Sequence, residues 1–258
     1  MVNIEDWAMG VKRPCGCKEF WRESFLESGK DADIQVLIVG SGKLARELLE
    51  NLKSPLIESV IPWLQRDLPW DGRRIVVHAG SGREIEEVVS FCVLNHLLLV
   101  ELSTTGNLEN FNPTFPIVIC PNTNILMLKF MAMLQAQGHL FSEYDKEVVE
   151  SHQSNKKSEP GTAISMAKSL GLPPGQIISV RDPLVQEREI GIPAQHLPRH
   201  AYHKVSISDG NVGIVFETKV LGQAPYSSGL AKIIEGIAKR ELQPVRYDVL
   251  ALIQNGWI

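Results

Sequence analysis

Short apolar runs alternate with segments of helical periodicity through the first half of this chain. Ile34–Val39 is apolar except at Gln35, and Lys43–Leu52 follows with Leu44, Ala45, Leu48, Leu49 and Leu52 recurring at helical spacing. Further strands are expected at Ser59–Trp63, Arg74–His78, Leu97–Leu102 and Ile117–Cys120, with helices over Arg83–Asn95 and Ile125–Gln137. Continuous apolar strands between amphipathic helices predict a parallel sheet covered on both faces. The later pattern is different. A strand over Lys146–His152 carries His152 at its end, and a helix over Thr162–Leu170 follows the Pro160-Gly161 turn. From Gln176 to Gly222 the chain reads as strand-like, with Lys204–Ser208 and Gly213–Val220 flanking the hairpin signal Asp209-Gly210-Asn211. Ser227–Lys239 returns to helical spacing, and Val245–Gln254 adds a last segment. The expected class is α/β: a nucleotide-type parallel half followed by a mixed, antiparallel-rich half.

Composition narrows the picture a little. In 258 residues, 44% hydrophobic and 22% charged content is ordinary for a globular protein of one large or two modest domains. A formal net charge of −4 gives no basic patch for nucleic acid, so no nucleic-acid partner is expected. Met1–Gly10 lacks the basic and apolar regions of a secretory signal, and the longest apolar stretch is broken by Pro121-Asn122-Thr123-Asn124 and Lys129. No membrane partner and a cytoplasmic setting are therefore expected. Cys92 and Cys120 read as small buried hydrophobes, while Cys15-Gly16-Cys17 is too tight for ordinary zinc spacing. His78, His96, His139, His196, His200 and His203 show no ligand spacing, so no metal is expected. Residues 1–32 read as an N-terminal extension that packs through Trp7, Phe20, Trp21 and Phe25, with a short helix over Phe20–Leu26.

Two segments carry chemistry. Gly40-Ser41-Gly42-Lys43-Leu44-Ala45 follows a strand and opens a helix, the context that the dinucleotide fingerprint requires. Gly40 permits the turn, Gly42 lets backbone amides approach a pyrophosphate, and Ala45 lets the helix sit close on the strand. In such folds an acid about 20 residues further on holds the ribose of NAD. Here the region reads Gln65-Arg66-Asp67: either Arg66 pairs with a 2′-phosphate, favouring NADPH, or Asp67 holds ribose hydroxyls and the cofactor is NADH. The second segment, Glu150 to Ala163, puts His152 and Lys156 four residues apart before Pro160-Gly161-Thr162 opens a helix. An imidazole titrates near neutrality, as proton delivery requires, and an ammonium group grips anions.

The Glu150–Ala163 segment resembles the signature of the 4-hydroxy-tetrahydrodipicolinate reductase family, Glu-x-His-His-x-x-Lys-x-Asp-Ala-Pro-Ser-Gly-Thr-Ala. Glu150, His152, Lys156, Pro160, Gly161, Thr162 and Ala163 align if one residue is deleted between Pro160 and Gly161. Ser103-Thr104-Thr105-Gly106 resembles the family's Gly-Thr-Thr-Gly loop, and Pro121-Asn122-Thr123-Asn124 its Ala-Asn-Phe-Ser segment. The resemblance implies a Rossmann-type N-terminal domain at about 33–121, completed by about 231–258. It also implies a C-terminal α+β domain at about 122–230, whose open mixed or antiparallel sheet builds a homotetramer.

It further implies an NAD(P)H-dependent reductase acting on a cyclic imine dicarboxylate in lysine and diaminopimelate biosynthesis. His152 is then the general acid and Lys156 the charge-stabilising cation. Gln153, Gly161 and Thr162 would bind substrate. Gly40, Ser41, Gly42, Lys43, Leu44, Arg66, Thr104, Thr105, Gly106 and Asn122 would bind NADPH or NADH. The chain departs from the pattern with Gln153 for the second histidine, Ser158 for aspartate, Glu159 for alanine and no serine before Gly161. His78-Ala79-Gly80 also replaces the family's Asp-Phe-Thr. Gln153 donates a hydrogen bond but carries no charge. Two other readings stay open: a paralogue reducing another small imine or carbonyl acid, and a non-catalytic dinucleotide-binding protein. Retention of both His152 and Lys156 argues against the last.

Overall fold

The computed structural model describes residues 33–103, 108, 111–156, 160–222 and 224–258. The expected N-terminal extension, with Trp7, Cys15, Cys17 and the helix over Phe20–Leu26, lies outside the described residues. In chain order the elements are β1 (Ile34–Val39), α1 (Lys43–Asn51), β2 (Ile57–Pro62), β3 (Arg73–His78), α2 (Ile85–Asn95), β4 (Leu98–Glu101), β5 (Ile117–Ile119) and α3 (Ile125–Gln137). They continue with β6 (Asp145–His152), α4 (Gly161–Ser169), β7 (Ile178–Val180), α5 (Pro183–Arg188), β8 (Ala201–Ser208) and β9 (Gly213–Val220). Last come α6 (Ser227–Ala238), β10 (Arg246–Asp248) and α7 (Val249–Gln254). The chain divides into two compact units, Met1–Thr123 with Tyr226–Ile258, and Asn124–Pro225.

The first unit holds a six-stranded sheet in the order β10-β5-β4-β3-β1-β2, with every pairing parallel. Such a sheet is buried on both faces, which is why Val36, Leu37, Ile38 and Val39 are all inaccessible. Leu37, Val39, Val76 and Leu99 pack with Val88, Val89 and Cys92 of α2 and with Phe115. Each such fully buried aliphatic side chain contributes about 1.5–3 kcal/mol. The strand order reverses between β1 and β3, and in open α/β sheets the ligand crevice lies beyond the carboxyl ends of strands at that reversal.

The returning C-terminal segment is tied in by polar contacts. The buried Glu47 carboxylate on α1 accepts the backbone N–H groups of Tyr226 (2.7 Å) and Ser227 (3.0 Å), capping the start of α6. Arg73 grips Asp33 with Nε (2.9 Å) and Nη2 (2.6 Å) while Nη1 donates to the carbonyl of Ala238.

In the second unit a four-stranded sheet runs β7-β6-β8-β9; β6–β8 and β8–β9 are antiparallel and β6–β7 is parallel. The hairpin falls at the expected turn, where Asp209 Oδ1 accepts from the amides of Asn211 and Val212. Helix α4 packs on α3 and β6. One expectation needed correction. The stretch from Gln176 to Gly222 is not strand-like throughout: Asp182 caps α5 by accepting from Leu184 N (2.8 Å), and Pro183 suits the first helical turn. Val245–Gln254 splits into β10 and α7 because Asp248 caps the helix through Leu250 N. Among the described residues no helix is long and apolar enough to cross a membrane.

The Asp33–Arg73 pair joins the sheet to the end of α6, so its loss should be costly. Replacing Arg73 with Met leaves the Asp33 carboxylate buried without its partner, and denaturant unfolding should show a loss of about 3–5 kcal/mol. A loss below about 1 kcal/mol would mean that this pair does not hold the returning segment.

Candidate functional site

In the first unit the glycine turn sits at the strand-order reversal. Gly40 has φ +126°, which L side chains rarely adopt, and a Cβ there would lie 2.7 Å from the carbonyl oxygen of Ala79. The turn after β1 is therefore pressed against the turn after β3, with Ala79 N donating to Val39 O (2.8 Å). A Cβ on Gly42, in contrast, would meet nothing within 4 Å. Gly42 stands at the N-cap of α1 without a side-chain cap, so the first amides of the helix are left for an outside acceptor. Ser41, Gly42 and Lys43 are exposed and Leu44 is half-buried. This geometry fits a dinucleotide pyrophosphate.

Arg66 lies in the turn after β2, where its guanidinium stands 4.7 Å over the Trp63 ring and pairs with Glu87 at 2.9 Å. The buried Arg74 holds that turn by donating to the carbonyls of Arg66 (2.7 Å) and Leu68 (3.2 Å). Asn122 follows β5, its carbonyl accepting from Cys120 Sγ. Thr104, Thr105 and Gly106 lie outside the described residues.

His78, where the family has aspartate, ends β3 fully buried, and its Nδ1 is 2.7 and 2.9 Å from the two oxygens of Glu101 at the end of β4. Glu101 also accepts from Ser103 N at 2.7 Å. His78 Nε2 and Glu84 Oε2, 3.8 Å apart, have no hydrogen-bond partner among the described residues.

The second unit gathers a denser cluster. Alternation along β6 puts Glu150 and His152 on one face and Ser151 on the other. Glu150 is inaccessible to solvent. Its Oε2 lies 2.6 Å from His152 Nδ1, and Arg181, just after β7, donates Nη2 to Oε1 (2.5 Å) and Nη1 to Oε2 (3.1 Å). Burial alone would raise the Glu150 pKa, but hydrogen bonds from His152, Arg181 and Ser179 outweigh it and hold the carboxyl down to about 2.

Directly across the ladder from Glu150 is His203 of β8, whose ring stands edge-on to His152 with centroids 5.7 Å apart. His203 is buried and its Nε2 has no partner among the described residues; burial and the nearby His152 push its pKa down to about 4. On the opposite face, His200 Nδ1 is 3.2 Å from the carbonyls of His196 and Leu197. These only accept, so Nδ1 carries the hydrogen and Nε2 accepts from Ser151 Oγ (3.0 Å). Gln186 of α5 braces the strand end by donating to His152 O at 2.7 Å.

Lys156 reaches the same electrostatic neighbourhood: partial burial lowers its pKa, Glu150 opposes that, and Arg181 adds to it. Lys156 N closes a turn onto Gln153 O (3.0 Å). Gly161 and Thr162 are the first residues of α4, and Pro160 at its N-cap gives no side-chain cap. Lys157, Ser158 and Glu159 lie outside the described residues. His152 and Lys156 thus lie in the field of one carboxylate, Glu150. Glu150 as the partner of His152, Arg181, His203 and Gln186 were not picked out from the sequence. For Glu150 a signal existed, since Glu-x-His on a strand shares a face; for Arg181 and His203 the pairing is long-range.

The fold is a Rossmann-type parallel sheet unit followed by a second α+β unit. It is similar to dipicolinate-bound dihydrodipicolinate reductase from Paenisporosarcina sp. TG-14 (TM-score 0.56, 17% identity, 85% of this chain and 99% of that one). By sequence the chain is similar to several 4-hydroxy-tetrahydrodipicolinate reductases. It is 28% identical over 222 residues to "Probable 4-hydroxy-tetrahydrodipicolinate reductase 1, chloroplastic" of Oryza sativa subsp. japonica, covering 77% of this chain and 63% of the relative. It is 31% identical over 134 residues to 4-hydroxy-tetrahydrodipicolinate reductase 1 of Arabidopsis thaliana, covering 48% and 39%. It is 24% identical over 169 residues to the 4-hydroxy-tetrahydrodipicolinate reductase of Rickettsia peacockii, covering 61% and 70%. The aligned part thus spans 63% of the rice relative's length and 39% of the Arabidopsis one's. No family model matches the chain.

His203 and Glu150 predict a stepped acid response of the second unit, with His200, also lowered by burial, adding to the upper window. His203, depressed from 6.5 to about 4, makes the unfolded state the better proton binder between those values, so stability falls as pH drops from 6.5 to about 4. Glu150, depressed from 4.5 to about 2, contributes stability present above 4.5 and lost as pH falls towards 2. Urea unfolding at stepped pH should show both windows, and His203→Gln should make only the upper one shallower. An unchanged upper slope in that variant would contradict the buried neutral imidazole.

Proposed function

We propose that this chain is an NAD(P)H-dependent reductase of a cyclic imine dicarboxylate, converting 4-hydroxy-tetrahydrodipicolinate to tetrahydrodipicolinate in lysine and diaminopimelate biosynthesis. The observation that carries the reading is the cluster in the second unit: an imidazole, His152, bound to a buried carboxylate beside Lys156 and Arg181. Among the described residues it combines a group able to give a proton with two cations around one carboxylate, as a dianionic substrate requires. When bound, NADH or NADPH supplies the hydride.

In this reading Gly40, Ser41, Gly42, Lys43 and Leu44 hold the pyrophosphate, supported by the uncapped start of α1 and the open space at Gly42. Asn122 belongs to the cofactor side, as do Thr104, Thr105 and Gly106 by their likeness to the family loop. Lys156 binds a substrate carboxylate, with Gln153 and the Gly161-Thr162 helix start as further donors. His152 delivers the proton that quenches the charge left by hydride addition. Arg66 is the candidate partner of a 2′-phosphate, and its pairing with Glu87 sets a competitor for that role. The cytoplasmic expectation stays with this proposal, although the plant relatives are chloroplastic by name.

A homotetramer built through the second unit is part of the same reading. The outer strand β9 and its hairpin expose Val212, Ile214 and Val215, apolar surface of the kind that a further copy would cover. Light scattering should return the mass of four chains, and Val215→Lys should lower it; a wild-type monomer would end this part of the proposal.

Catalysis is tested with freshly generated 4-hydroxy-tetrahydrodipicolinate and each cofactor in turn. The wild-type chain should oxidise the cofactor. His152→Ala should lower kcat by about 10²–10⁴, and Lys156→Ala should lower kcat/KM sharply. Tight cofactor binding by calorimetry with no turnover of this substrate would sink the reductase reading and leave a dinucleotide-binding protein or a paralogue with another substrate.

A further inference from the structure

We infer that Glu150 is a positioning residue: clamped by Arg181, it holds His152 in one tautomer, with hydrogen on Nδ1 and with Nε2 left as the exchanging atom. The inference rests on the reading of His152 as the proton donor and adds what sets the direction of that donation.

Glu150 is wholly buried, and Arg181 presents two N–H groups to its two oxygens. An ionised carboxylate only accepts hydrogen bonds. His152 Nδ1, 2.6 Å from Oε2, must therefore carry a hydrogen whenever it makes that bond. In a neutral imidazole one nitrogen carries hydrogen and the other does not, so Nδ1–H leaves Nε2 bare. The ring has little freedom to escape this choice. Its backbone carbonyl is pinned by Gln186, its strand is paired with β8 on one side and β7 on the other, and His203 stands edge-on against the ring.

The consequence for proton transfer is a matter of balance. In the imidazolium both nitrogens carry hydrogen. On transfer the Nε2–H bond breaks, its electron pair stays on the ring, and the proton goes to the substrate atom carrying the charge left by hydride addition. The ring that remains is the neutral Nδ1–H tautomer, already hydrogen-bonded to Glu150, so no rotation or second proton movement is needed. Such outer partners of a functional histidine typically matter by 10–100-fold.

The test uses the full chain with 15N-labelled histidine, without substrate, at a pH where His152 is neutral. Long-range 1H–15N correlation, with the signal assigned by its disappearance in His152→Gln, should show hydrogen on Nδ1 and a bare Nε2. Hydrogen on Nε2, or an even mixture, overturns the inference. Glu150→Gln can accept through its oxygen or flip and donate through its nitrogen, so it should give mixed tautomers, a fall in kcat of about 10–100-fold and a KM within about threefold. If that variant does not fold, because Arg181 is left without its anion, the double variant Glu150→Gln/Arg181→Met removes both charges and is read the same way. An unchanged tautomer and unchanged kcat would show that Glu150 serves only to anchor Arg181. If the wild-type chain shows the Nδ1–H tautomer yet oxidises no cofactor with the dicarboxylate, the positioning stands and the reductase reading fails.

Discussion

A carboxylate with no access to water must be compensated where it stands, and Glu150 shows what that demands of the surrounding chain. Stripping an anion of its hydration costs several kcal/mol, and only close, well-directed donors offset it. Here the donors come from three places: His152 on the same strand, Arg181 after β7 and Ser179 within β7. The parallel pairing of β7 with β6 is what brings Ser179 opposite Glu150 and delivers Arg181 to the same spot. The short helix α5 then returns Gln186 to the carbonyl of His152, so one buried charge organises two strands and a helix around the imidazole.

The first unit is governed by a steric constraint instead. Gly40 can approach Ala79 only because it has no side chain, and that approach brings the turns after β1 and β3 together where the strand order reverses. Beneath this contact the chain has placed a buried imidazole–carboxylate pair, His78 and Glu101, at the ends of β3 and β4. A Cβ on Gly80 would lie 2.7 Å from His78 Nε2 and 3.0 Å from Glu84 Oε2, so a side chain there would have to displace one of these groups. Glu101 joins the pair to the following loop through the amide of Ser103. A buried hydrogen-bonded pair of this kind is costly to break from one side, because the remaining group is left buried without its partner.

Departures from the family signature acquire a physical meaning in the second unit. Gln153 removes the second imidazole from the motif, yet an imidazole does stand beside His152, supplied by His203 from β8. Burial keeps that ring uncharged near neutrality, so it does not replace a cation. The positive charge beside Glu150 comes instead from Lys156 and Arg181. The Lys156 ammonium is weakened by burial and sustained by Glu150, so the same carboxylate that orients His152 also supports this charge.

Periodicity and turn residues were enough to expect the parallel sheet, the glycine turn at its first strand and the mixed sheet with its Asp209 hairpin, because the strands, helices and turns that build them are encoded within a few residues. Local rules also placed His152 at a strand end and Gly161 at a helix start. The same rules misread Gln176–Gly222, where Asp182 caps the short helix α5 inside a stretch expected to be strand-like. What no local pattern contained was the company each polar group keeps. Arg181 lies 31 residues from Glu150, His203 is set across from it by ladder register, and His78 meets Glu101 only because β3 and β4 are neighbours. Short-range geometry is encoded by side-chain size and spacing along the chain. The partners of buried charges are chosen by strand register and packing, which exist only once the chain has folded.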